Sequence, residues 1–525
     1  MGFLLSTQRS KLYNEFTKDN QEKYFGLIDK KFIPHVDTLY YSVFIKGDMA
    51  DSKNEENSVP EGVLELIDFL KYSKSKFEEE ELKFQKEFWF DYDKSILFTS
   101  NRFSLYEYCI SKKGFYDIFI SSYLPNDSTP RIVIQLRSVG LWGIGEYESV
   151  NESFEVAKQL LFDYGLEIEK TQENRIDFCY HTNILQSPEN VYSDNSLANN
   201  LHTTFSIYNK VGRKHGRNLT VEYLSLGQRS SNNIFFRSYN KVREVIEENY
   251  KEFFLEFWFN AKVINYYDFY VYSYAFKKKN YGQIYWGILQ FYLDFGSDPK
   301  VKEDFQYIKE HPKDYPVEEL KKIVLAICPK PTLVINIEFQ CMRKFFYSFN
   351  KALELSKPAI ENECNYIELL RVFQILDNRK LFLDYLTEYT VSFKKDLSEK
   401  HLKDIEKINK ENVYQDFWKR LRATKLQLSF NGTIRRDYTS NINKEIIITR
   451  IKTSIATLSL YNDDWETDIN NDLSRLICVL NDNDMILNDD GTCSIVDNEY
   501  EKIKDKKKKA LKSILECKSR PSKDK

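Results

Sequence analysis

Four short segments place reactive side chains at two-residue spacing. In RIDFCYH, residues Arg175, Asp177, Cys179 and His181 fall on one alternation, and Ile176, Phe178 and Tyr180 on the other. In NIFFRSYNK, Arg237, Tyr239 and Lys241 share an alternation. LVINIEFQ separates Asn336, Glu338 and Gln340 from Leu333, Ile335, Ile337 and Phe339, and RIVIQLR separates Gln135 and Arg137 from Ile132, Ile134 and Leu136. Side chains at i and i+2 share a face of a strand, so each segment reads as a strand with one apolar and one polar face. Joined in one sheet, the polar faces would supply what metal-assisted attack on a phosphodiester requires. Carboxylates and an imidazole can hold a divalent ion that polarises a phosphoryl oxygen. Arg and Lys neutralise phosphate charge. A tyrosine hydroxyl, with an ordinary pKa of about 10, needs a nearby cation or base to act as a nucleophile. A solvated face of an antiparallel sheet carries polar residues in any case, and the chain has 36 tyrosines, so alternation by itself does not single out Tyr239.

The elements that must position these residues can be read along the chain. FIPHVDTLYYSVFIK (32–46) reads as a first strand, followed by a polar loop over 47–60 and a helix from Glu61 to Lys83. Hairpins run to Ile120, and Arg131 to Arg137 forms a strand. From Asn151, apolar residues Phe154, Ala157, Leu160, Leu161 and Tyr164 recur at helical spacing. Arg175 to His181 is a strand, and the Asn- and Ser-rich stretch 183–200 reads as a loop. Strands follow at Thr220–Leu226 and Asn233–Lys241. The pattern then turns helical, broken by one strand at Thr332–Gln340 and a terminal hairpin near Asp489–Val496. The expected fold is α+β: a mainly antiparallel sheet with helices on one face, built from 1–250 and 331–350. A helical insertion spans 251–330, and a mostly helical C-terminal region spans 351–525.

Composition narrows the class. The chain has 525 residues, 42% of them hydrophobic and 30% charged, and the aromatic load is carried by 38 Phe and 36 Tyr. Such a chain can bury cores and is not generally disordered. Eight cysteines include no C-x-x-C pair, which argues against a zinc ribbon and fits a reduced, cytoplasmic protein. The aromatic stretch Phe253 to Phe276 is interrupted by Glu256, Asn260, Lys262 and Asp268, so no membrane span is expected. Net charge is −3, but the last 24 residues hold eleven Lys or Arg against three Asp or Glu, a tail able to contact phosphates without reading sequence. There is no P-loop, no H-E-x-x-H and no G-x-S-x-G. No His-x-His pair occurs, so the two-histidine signature of HUH nickases is absent. The glycines of VGLWGIGEY (Gly140, Gly143, Gly145) are too irregular for a dinucleotide fingerprint.

The order of these segments resembles the replication initiation factor family, which includes initiators of rolling-circle plasmids and nickases of integrative elements. Its "Y-x-G-x-[RK]-x-S" leading into "R-x-Y-[ND]-K-x-x-E" is matched by SLGQRSSNNIFFRSYNKVRE. Gly227, Arg229, Ser231, Arg237, Tyr239, Asn240, Lys241 and Glu244 fall in register, and Ser225 stands in place of the first tyrosine. The "R-[IL]-D" strand is matched at Arg175–Asp177. HVDTLYYSVFIK with Asp37 resembles the opening strand, and LVINIEFQCMRKFF with Glu338 and Arg343 resembles a later one. The likeness covers about 32–350. It implies a tyrosine that attacks one DNA strand at an origin, becomes linked to the 5′ phosphate and frees a 3′ hydroxyl, with Mg²⁺ or Mn²⁺ as cofactor. Tyr239 would be the nucleophile and Arg237 and Lys241 the phosphate-binding cations. Asp177, His181, Glu338 and Gln135 would be the metal ligands. His181 and Gln135 both stand where members can carry acids. DNA would be the main partner, with a helicase or a second copy of the chain as further ones. The alternatives are a non-catalytic origin-binding or copy-control protein on the same fold, and a helical interaction protein.

Overall fold

A fourteen-residue strand, β1 (Phe32–Ile45), organises the architecture by pairing antiparallel with neighbours on both sides. One neighbour is β5 (Ile132–Leu136), whose outer edge continues through β4 (Tyr116–Ile120), β3 (Tyr108–Lys112) and β2 (Ile96–Thr99). The other is β6 (Ile168–Thr182), followed by β11 (Ile335–Met342), β10 (Ile234–Asn240), β9 (Asn218–Leu226) and β8 (Tyr208–His215). The result is a ten-stranded antiparallel sheet in the order β2-β3-β4-β5-β1-β6-β11-β10-β9-β8. Two short strands, β7 (Leu201–Thr203) and β12 (Val391–Phe393), pair separately. The computed structural model describes residues 10–48, 59–80, 96–99, 103–125, 129–205, 208–215, 218–228, 233–247, 251–350, 353, 366–426, 485–487 and 493–495. The chain divides into two compact units, Met1–Arg435 and Arg436–Lys525. Within the second, β13 (Met485–Leu487) and β14 (Cys493–Ile495) form the hairpin expected near 489–496.

The alternation read from sequence sets the two faces. Ile176, Phe178, Ile337, Phe339 and Phe236 are buried on the apolar face. Phe178 meets Phe346 and Phe382 there, at ring distances of 6.2 and 6.4 Å. The helices on this side include α5 (Glu146–Phe162), whose Ser153 hydroxyl lies 2.8 Å from the Tyr41 hydroxyl. They also include α12 (Arg343–Tyr347), α13 (Leu370–Asp377) and α14 (Arg379–Tyr385). Residues 366–426 therefore belong to the same unit as the sheet. At the chain's start lie α1 (Lys11–Glu15), α2 (Lys18–Phe25) and, after β1, α3 (Glu61–Glu80).

The excursion between β10 and β11 is helical, as its pattern predicted. It runs through α6 (Lys241–Glu247), α7 (Phe253–Asn260), α8 (Tyr266–Lys277), α9 (Ile284–Phe295), α10 (Pro299–Glu310) and α11 (Val317–Ile327). Its aromatics form the packing: Trp258, Tyr267, Tyr272 and Tyr292 are fully buried, and Tyr24 and Phe25 of α2 lie against Phe291. Asn265 and Asp268 form a reciprocal capping box at the start of α8. Asp268 also accepts from the Thr332 amide at 2.9 Å, and Tyr267 donates to the Pro329 carbonyl at 2.7 Å. These bonds anchor the insertion to the segment leading into β11. Among the described residues no helix is long and apolar enough to cross a membrane.

Some local expectations change. The stretch 183–200 holds two helical segments, Pro188–Val191 and Asp194–Asn200, rather than a plain loop. Its serines and asparagines serve partly as caps: the Ser193 hydroxyl accepts from the Ser196 amide. β6 is twice the length of the RIDFCYH segment because Lys170 to Glu173, polar in sequence, still pair with the far end of β1. Helix α5 starts at Glu146, earlier than its apolar repeat. Cys109, Cys179, Cys328 and Cys341 are buried free thiols.

Candidate active site

The polar faces of β1, β6, β11 and β10 coincide at the middle of the sheet. Register places Asn336 beside His181, Glu338 beside Cys179 and Gln340 beside Asp177. On the other side of β11, Arg237 lies opposite Glu338 and Tyr239 opposite Asn336. β1 carries an irregularity between Val36 and Thr38, and Asp37 is the extra residue. A bulge of this kind re-aims a side chain, and Asp37 turns to the polar face, 3.6 Å from the Lys241 ammonium. The approach to β10 depends on Gly227. Its φ is +86°, and a Cβ there would come within 2.9 Å of the Phe205 ring, so only glycine suits the position.

Tyr239 sits in a network of named partners. Its hydroxyl donates to Glu338 Oε2 at 3.4 Å and accepts from Asn336 Nδ2 at 2.9 Å. Asn336 Nδ2 also donates to Glu338 Oε2 at 3.1 Å. Arg237 donates to Glu338 Oε1 at 2.7 Å, and its guanidinium carbon lies 5.0 Å from the Tyr239 ring centre. One strand over, Arg175 grips Asp177 through Nε at 2.8 Å and through a terminal nitrogen. Deeper in, Lys241 is fully buried between Asp37 and Glu244, 2.9 Å from the latter, and Glu244 is also paired with Lys251. The carboxylates of Asp177 and Glu338 are buried, whereas the Arg175 and Arg237 side chains are 16% and 23% exposed. The guanidiniums therefore form the mouth of the site and the acids its floor.

Burial dominates the electrostatics. It pushes the Glu338 carboxyl up to about 7, against the pull of Arg237 and with the help of Asp177 and Asp37. It raises Asp177 in spite of Arg175. It also raises the Tyr239 phenol well above its ordinary value, and the nearby Glu244 and Glu338 add to that. For Lys241, burial favours the neutral amine, but Asp37 and Glu244 reverse this and keep it charged. For Glu244, Lys241 and Lys251 overcome burial and hold the carboxyl low. His181 is driven well below its ordinary value by burial and then by Lys241, so it is neutral.

The fold brings Tyr239, Arg237, Lys241 and Glu338 together and sets Asp177 beside them. Gln135 is elsewhere: it pairs with Tyr40 of β1, which in turn pairs with Arg175, so a whole strand separates it from β6. The amide next to Asp177 is that of Gln340. His181, expected as a metal ligand, lies under an aromatic roof. Trp142 of α4 (Ser138–Gly143) stacks between His181 and His35, at 4.5 and 3.9 Å. Phe254 closes from α7, and Trp258 Nε1 donates to His181 Nδ1 at 3.2 Å. Trp142, Trp258 and Lys251 had no signal in the sequence, because the two helices that carry the tryptophans, and the segment before α7 that carries Lys251, reach the site only through tertiary packing. Asn336 and Gln340 were visible on the polar alternation of their strand but were not assigned a role.

The residues expected to hold Mg²⁺ or Mn²⁺ do not fit such an ion. Asp177 and Glu338 are engaged by guanidiniums, and Gln135 is too far away. A metal-bound histidine donates its other N–H to an acceptor. Indole N–H is a donor only, so Trp258 fixes a lone pair on Nδ1 and the proton on Nε2, the atom that would have to ligate. Among the described residues no three His, Cys, Asp or Glu side chains converge in a metal-holding group.

No family model and no curated protein matches the chain. Among solved structures, a rolling circle replication initiator protein from Geobacillus stearothermophilus aligns with a TM-score of 0.33 and 11% identity, over 74% of this chain and 95% of that one.

Proposed function

We propose that this chain is a DNA strand-nicking enzyme of the rolling-circle initiator or relaxase type, with Tyr239 as nucleophile. The observation that carries the reading is the pairing of β10 with β11, which sets a tyrosine hydroxyl, a guanidinium and a carboxyl of raised pKa within one hydrogen-bonded cluster. Glu338 takes the phenolic proton. The Tyr239 oxygen forms a bond to phosphorus as the P–O3′ bond breaks. The chain keeps a 5′-phosphotyrosyl link, and the departing 3′ oxygen takes a proton from water and is left as a hydroxyl. Arg237 and Arg175, at the mouth, meet the phosphate oxygens, where charge-assisted and bidentate contacts are strongest. A carboxyl with a pKa near the operating pH is the form a general base needs.

The test is incubation of the full-length protein with labelled single-stranded oligonucleotides tiling the DNA around its own gene, followed by denaturing electrophoresis and peptide mapping. A DNA adduct on the peptide containing Tyr239 is the expected result. An adduct on another tyrosine would remove Tyr239 from the role.

A second reading is an origin-binding protein without cleavage. It is favoured by the buried Tyr239 hydroxyl, which is already bonded to Asn336 and Glu338. Specific retention of a duplex from the same DNA, with no adduct on any single-stranded piece, would select it.

A further inference from the structure

The misfit between the site and a divalent ion has a positive counterpart. Four cations, Arg175, Arg237, Lys241 and Lys251, are paired within the described residues of this centre with four carboxylates, Asp177, Glu338, Asp37 and Glu244. Sites built for Mg²⁺ or Mn²⁺ place oxygen ligands around a vacant position and leave their negative charge to the ion. Here the negative charge is met by side chains of the chain itself. Lys241, the first residue of α6, joins Asp37 of β1 to Glu244 of its own helix: it is fully buried, 3.6 Å from Asp37 and 2.9 Å from Glu244, and its ammonium faces the Tyr239 ring at 5.7 Å. Inserting a dication would place two further positive charges beside Arg175, Arg237, Lys241 and Lys251, a placement that low-dielectric surroundings strongly oppose. His181 cannot relieve it, since its tautomer is fixed the wrong way by Trp258.

We infer that the charge on the scissile phosphate is met by chain-borne cations, with Arg175 and Arg237 contacting the phosphate and Lys241 serving as the resident internal cation, so that the site works without a divalent metal ion. Lys241 does not touch the substrate in this arrangement. It is a positioning residue that holds Asp37 and Glu244 and sets the field around Tyr239. The inference rests on the nicking reading, and two measurements separate its failure from the failure of that reading.

The first measurement needs no activity. Mn²⁺ is titrated into full-length, EDTA-stripped protein without DNA and followed by electron paramagnetic resonance. No stoichiometric site is expected in the wild type at micromolar concentration. A stoichiometric site that disappears in Asp177→Asn or Glu338→Gln would overturn the inference, whatever the protein does to DNA. The second measurement is adduct formation in EDTA compared with Mn²⁺ and Mg²⁺. Rates within about threefold of one another are expected. An adduct that forms with either metal and is absent in EDTA would leave the nicking reading standing and overturn the metal-free one. If no condition gives an adduct, the nicking reading fails, and the resonance titration still decides whether this centre holds a dication.

Discussion

The Tyr239 hydroxyl donates to the Glu338 carboxylate at 3.4 Å across two adjacent antiparallel strands, though 99 residues separate them in the chain. Asn336 bonds to both groups, and Arg237 holds the other oxygen of the carboxylate. A phenol, a carboxylate and a guanidinium are thus fixed by the backbone register of β10 on β11 rather than by a loop.

Replacing Tyr239 by Phe should abolish the covalent adduct and leave DNA retention within about twofold. Asn336 Nδ2 keeps Glu338 as a partner when the hydroxyl is gone, so stability should fall by only about 0.5–1.5 kcal/mol. Urea denaturation beside a gel-shift assay checks both parts. A large loss of DNA binding would mean that the ring, not its hydroxyl, is what matters.

Arg237→Met should destabilise the protein by about 3–5 kcal/mol, because it leaves the Glu338 carboxylate buried without its cation. The double variant Arg237→Met with Glu338→Gln should recover much of that loss, since the pair is then removed together. A double-mutant cycle from chemical denaturation measures the coupling, and additive effects would show that the two side chains do not depend on each other.

The adduct-forming rate should rise with pH through about 7. Glu338 must be ionised to accept the phenolic proton, and burial has raised its carboxyl to that value. The same shift makes an opposite contribution to stability. The folded state holds this proton more tightly than the unfolded chain, so the stabilisation is complete below the ordinary glutamate range and is lost as pH rises from there through about 7. Single-turnover rates from pH 5.5 to 8.5 test the first part, and Glu338→Gln should flatten the profile as well as lower it.

Asp268→Ala should cost about 2–4 kcal/mol. It removes one half of the capping box with Asn265 and leaves the buried Thr332 amide without its acceptor. Because Thr332 leads into β11, hydrogen exchange should speed up at the start of that strand. Unchanged exchange there would show that the insertion does not help to hold β11 in place.

The sequence by itself determined the strands and their faces. Two-residue alternation in RIDFCYH, NIFFRSYNK and LVINIEFQ is a local property, because a strand's geometry sends successive side chains to opposite sides whatever lies beside it. That was enough to identify Asp177, Arg237, Tyr239 and Glu338 as residues of polar faces, and to mark 251–330 as a helical excursion. Which polar residues meet was decided only by tertiary structure. Register sets Arg237 opposite Glu338 and moves Gln135 a strand away from Asp177, and no local pattern encodes pairing between segments about a hundred residues apart. The roof over His181 was also invisible in sequence, since Trp142 and Trp258 come from separate helices. Trp142 covers the imidazole and the Trp258 hydrogen bond fixes its tautomer, and with it the atoms this site can offer.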